Sequence, residues 1–71
     1  MKLALTQRDI ELLMADGINF DQLKDYSEDE ALELLDLVRG KEAFYAQDEN
    51  TGAQELFNQY CELGDRIFDL I

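Results

Sequence analysis

Apolar residues along this chain recur at intervals of three and four, and no stretch shows the alternation that marks a half-buried strand. Ile10, Leu13 and Met14 give one helical face, and Ala31, Leu34, Leu35 and Val38 give a second. The longest stretch of the pattern is the last. There Ala53, Leu56, Tyr60, Leu63, Ile67 and Leu70 form a heptad-like seam. Phe57, Cys61, Gly64, Phe68 and Ile71 widen it to about half of the helix circumference. Proline is absent. The pattern predicts an all-α fold.

Capping residues set the expected boundaries. Thr6 is placed as an N-cap, with Asp9 favouring the positive end of the helix dipole and Leu5 and Ile10 available as a hydrophobic staple. Gly17 stands where a left-handed residue ends a helix, which gives a first helix over 7–16. Asn19, Gln22 and the Ile18/Leu23 pair repeat that grammar. They predict a short helix over 20–25, pinned to the core by Phe20 and Leu23. Ser27 and Glu30 form a capping box for a third helix, over 28–47. Gly40 either stops that helix or sits inside it at a cost of ~1 kcal/mol relative to alanine. The good helix formers from Lys41 to Gln47 favour a continuous or kinked helix. Thr51 and Gln54 form the next box, opening a last helix over 52–70 in which Glu62 and Arg66 stand one turn apart and can pair. The expectation is a single domain over 1–71, a small compact bundle of three main helices and one short one.

Length and cysteine count narrow the class. Seventy-one residues lie near the lower limit for a core without a staple. The lone Cys61 excludes an internal disulfide framework, and the lack of histidine disfavours structural zinc. No run approaches the ~20 apolar residues needed to span a bilayer. The first residues are too short an apolar run for a signal peptide, so a cytoplasmic protein is expected.

Charge changes the picture more. Seventeen acidic residues against six basic ones leave a net charge of −11. That balance argues against binding nucleic acid or anionic lipid directly, and favours partners with positive surface. Periodic Leu, Ile, Phe and Tyr positions argue for folding over charge-driven disorder.

Specific chemistry finds little support. Asp48-x-Asn50-x-Gly52 opens like a calcium loop, but the sixth position is Ala53 and the twelfth Gln59, where glycine and glutamate are needed. Met14 and Gly17 resemble part of the Met-Gly-Phe loop of ubiquitin-associated domains, but the spacing differs and the aromatic is missing, so no function is carried over. Paired carboxylates such as Glu33 and Asp36 lack the contrast of apolar and polar settings that acid/base catalysis needs. Cys61 has no histidine to activate it. These features predict a protein that is not an enzyme and takes no metal or cofactor.

The acidic surface therefore carries the functional reading. The expectation is a protein-binding module, a small intracellular regulator or inhibitor. Its recognition residues would be Asp21, Asp25, Asp29, Glu30, Glu33 and Asp36, engaging a basic partner in the manner of proteins that imitate nucleic-acid phosphates. The alternative is a homo-oligomeric assembly protein whose acidity serves solubility. Its apolar seam would include Leu37, Phe44, Leu63 and Ile67, and the apolar end of the chain, Phe68 to Ile71, would be docked rather than free.

Overall fold

The computed structural model describes residues 1–71 and contains three helices: α1 (Gln7–Ala15), α2 (Glu28–Ala46) and α3 (Thr51–Leu70). Each begins where the chain supplies an acceptor for its first free amides. Thr6 Oγ1 accepts from Asp9 N, and the Asp9 carboxylate accepts from Thr6 N, completing a capping box on α1. Ser27 and Glu30 do the same for α2. For α3 the cap is Asn50 rather than Thr51. Its Oδ1 accepts from Gly52 N at 3.1 Å, and the helix starts one residue earlier than the Thr51/Gln54 pair predicts.

α1 ends as expected. Gly17 has φ +77°, Ile18 N donates to Leu13 O at 2.9 Å and Gly17 N to Met14 O at 3.1 Å. That pair of bonds is a Schellman motif, which satisfies the last carbonyls of the helix.

The short helix over 20–25 does not form. Asp21 Oδ1 accepts from Leu23 N at 2.9 Å, and the Tyr26 hydroxyl accepts from Asp21 N at 3.1 Å. The Asp21 carboxylate thus takes the Leu23 amide that a helix capped at Asn19 would bond to Asn19 O, and a single turn cannot offset its own nucleation cost. Leu23, expected in the core, is 76% exposed. The segment is held by its two ends instead. Ile18 and Phe20 are half-buried, Tyr26 is buried, and the Phe20 and Tyr26 rings stack at 5.5 Å. Tyr26 N also donates to Met1 O, which lays the first residues, with Leu3 buried, beside this segment.

α2 passes through Gly40 without interruption. α2 and α3 form an antiparallel hairpin across the loop at 47–50, with Tyr45 stacked on Tyr60 at 5.8 Å and Arg39 Nη2 bonded to Asp65 at 3.3 Å. Leu12 and Leu13 of α1 join the core that this hairpin builds. Leu13, Val38, Tyr60, Leu63 and Ile67 are fully buried at the junction, with Leu3, Leu12, Tyr26, Ala31 and Leu34 around them.

Two polar contacts lock α1 in register. Arg66 on α3 donates to both carboxylate oxygens of Asp9, at 2.7 and 2.8 Å. It does so in place of the predicted pairing with Glu62. At the other end of α1, Asp16 accepts from the hydroxyls of both Tyr45 and Tyr60. Tyr60 also approaches Leu12 O at 3.4 Å. Burial and then the bond to Asp16 push the Tyr60 hydroxyl well above the usual phenol range.

Candidate acidic face on the second helix

The face opposite the core on α2 is set by helical geometry. Ala31, Leu34 and Val38 point into the bundle. At ~100° per residue, Asp29, Glu33, Asp36 and Gly40 then fall on the far side within an arc of roughly 60°, with Leu37 and Phe44 along one edge. All six are exposed. Leu37 keeps 54% and Phe44 65% of their surface. The face therefore joins a row of carboxylates, one glycine and two apolar side chains.

Asp29, Glu33 and Asp36 form no ion pair, whereas five other carboxylates do. That division splits the predicted recognition set. Glu30 is engaged by Lys24 and by its own cap, and the Lys24 hydrogen bond draws its carboxyl down to about 2. Asp25 accepts from the Met1 ammonium, which holds its carboxyl low. Asp21 uses its side chain to make the turn at Leu23. So the structure brings together Asp29, Glu33 and Asp36, and places Asp21, Asp25 and Glu30 apart from them in internal contacts.

The apolar set divides as well. Leu37 and Phe44 share the outer face of α2, as a continuous helix requires. Leu63 and Ile67 have no exposed surface and belong to the core, so they are not available to a second molecule. Their seam is consumed by α1 and α2. Phe68, Leu70 and Ile71 are exposed, so the apolar end of the chain is not docked within its own bundle.

A shallow groove of about 350 Å³ adjoins the face, between α2 and the segment leading to Tyr26. Ile18, Tyr26, Leu34 and Leu37 supply its apolar wall and Glu33 part of its rim. Lys24 spans it, with Nζ 4.9 Å from the centre of the Tyr26 ring. Cys61 is half-buried, and burial followed by the nearby Glu42 carboxylate pushes its thiol up, away from the reactive thiolate.

Sequence reasoning missed Asp9 and Arg66 as a pair. An acid on an apolar helix face and an arginine on a seam helix are the only marks of the pair in the sequence. No helix is long and apolar enough to cross a membrane. Comparison with protein-family models, curated proteins and solved structures finds no match to this chain.

Proposed function

We propose that this protein is a binding module, a regulator or inhibitor that engages the basic surface of another protein through the outer face of α2. The observation that supports the reading is the row of Asp29, Glu33 and Asp36, exposed, on one face and without internal cations. Carboxylates left free by the fold can attract a basic partner at long range and accept charge-assisted hydrogen bonds from its Arg and Lys. Net charge of −11 adds to the attraction. A nucleic-acid-binding groove on another protein is one surface of that chemistry.

The test is capture from the native host with the immobilised chain and with Glu33→Lys/Asp36→Lys, whose helicity is first matched by circular dichroism. Proteins retained by the former, released by added salt and absent from the latter are the expected result. Identical proteins retained by both, at any salt, contradict the reading.

A second reading is favoured by the exposure of Leu37 and Phe44 on one face: self-association of α2. Light scattering on a sizing column separates the two, since a tight dimer dispersed by Leu37→Ser/Phe44→Ser supports the second.

A further inference from the structure

Gly40 has no structural explanation within the chain. It lies inside a helix without a positive φ, and a Cβ added there meets nothing within 4 Å. Alanine would be better for the helix and would fit. Gly17, by contrast, is required by its φ, and Gly64 sits against the Arg39 and Glu42 side chains. Gly40 therefore leaves a flat spot at the centre of an outer face. Asp36 and Leu37 stand one turn before it, Phe44 one turn after.

On this geometry, and resting on the functional reading above, we propose that the outer face of α2 receives a partner helix that crosses it at Gly40. The partner is amphipathic and basic. Its apolar side chains cover Leu37 and Phe44, its backbone comes close at Gly40, and its Arg or Lys residues meet Asp29, Glu33 and Asp36.

Charge complementarity selects this occupant over a second copy of the chain. A parallel copy would set Asp29, Glu33 and Asp36 against themselves. An antiparallel copy centred on Gly40 would set Asp36 against Phe44, Glu33 against Gln47 and Asp29 against Thr51, none of them a cation. Neither arrangement gives the carboxylates a cation, and each brings a second net charge of −11 against the first. The exposed apolar pair supplies what charge alone does not, a contact that excludes water beside the carboxylates.

The test uses the full chain and an amidated helical peptide of about 20 residues, long enough to run ~30 Å along α2. The peptide carries leucine at one helical face and arginine on its flanks; a control replaces the leucines with serine at equal charge. The expected result is saturable binding of the leucine peptide, with amide shifts centred on Leu37, Gly40 and Phe44, and much weaker binding of the serine peptide. Gly40→Gln raises the melting temperature by roughly 3–6 °C. The same substitution lowers affinity for the leucine peptide about tenfold.

Equal binding of both peptides, or unchanged affinity in Gly40→Gln, overturns helix docking. If that binding still fails in Glu33→Lys/Asp36→Lys, the acidic-face reading survives alone. No binding of either peptide overturns both readings. A chain that self-associates, with Gly40→Gln dispersing it, also overturns the proposal, since the occupant is then a second copy.

Discussion

Asp9 and Arg66 differ in what they leave behind when cut. The Asp9 carboxylate is almost wholly buried, while the Arg66 side chain keeps 43% of its surface. Burial alone would raise the Asp9 carboxyl, but the hydrogen bonds from Arg66 and Thr6 outweigh it and hold the group below the usual range. Removing the arginine strands a buried charge; removing the carboxylate frees an arginine to turn into water. We therefore expect Arg66→Met to cost about 2 kcal/mol at neutral pH and Asp9→Asn to cost less, measured by urea unfolding. The pH dependence has a fixed sign. A carboxyl lowered in the folded state stabilises above its unfolded value, near 3.8, and that contribution is lost as pH falls through the folded value. The gap between wild type and Arg66→Met should close over that acid range. A gap that persists unchanged there would mean that Arg66 acts through packing of its stem.

At the scale of elements, two glycines make opposite predictions. Gly17 closes α1 at φ +77°, so Gly17→Ala should destabilise by about 1 kcal/mol. Gly40 is unconstrained, so Gly40→Ala should stabilise by about 0.5–1 kcal/mol. Thermal unfolding of the two variants reads both signs. The elements themselves were legible in the sequence wherever a cap and an apolar face agreed, as at Thr6, Ser27 and Gly17. The segment over 20–25 carries the same kind of signal as α1 and α2 without forming a helix. Its cap-like Asn19 and Gln22 are local signals, and the Asp21 carboxylate takes the Leu23 amide there instead. The row of Asp29, Glu33 and Asp36 could be read from spacing. Which acids the fold would take for itself could not, because Asp9, Asp25 and Glu30 find their cations at sequence separations from 6 to 57 residues. The seam of α3 was legible as apolar, but its fate as core or interface depended on where α1 lies.

For the molecule as a whole, repulsion is the dominant electrostatic condition. Five carboxylates have cationic partners and the remaining twelve of seventeen have none. Salt screens both attraction and repulsion over ~10 Å at 0.1 M, and here repulsion is the larger sum. The melting temperature at neutral pH should therefore rise with added sodium chloride; a fall would mean that the ion pairs outweigh the free carboxylates. The same unpaired charge is what a basic partner would meet. If position matters, and not net charge alone, carboxylates on α2 and α3 must differ. Glu55 and Glu62 are exposed on α3 and also free of ion pairs, so they are a matched control. The most direct measurement compares the affinity of the leucine–arginine peptide for Glu33→Gln/Asp36→Gln with that for Glu55→Gln/Glu62→Gln, two variants of identical charge. The account predicts a loss of about tenfold or more for the first and near wild-type affinity for the second. Equal losses in the two would contradict a recognition face on α2.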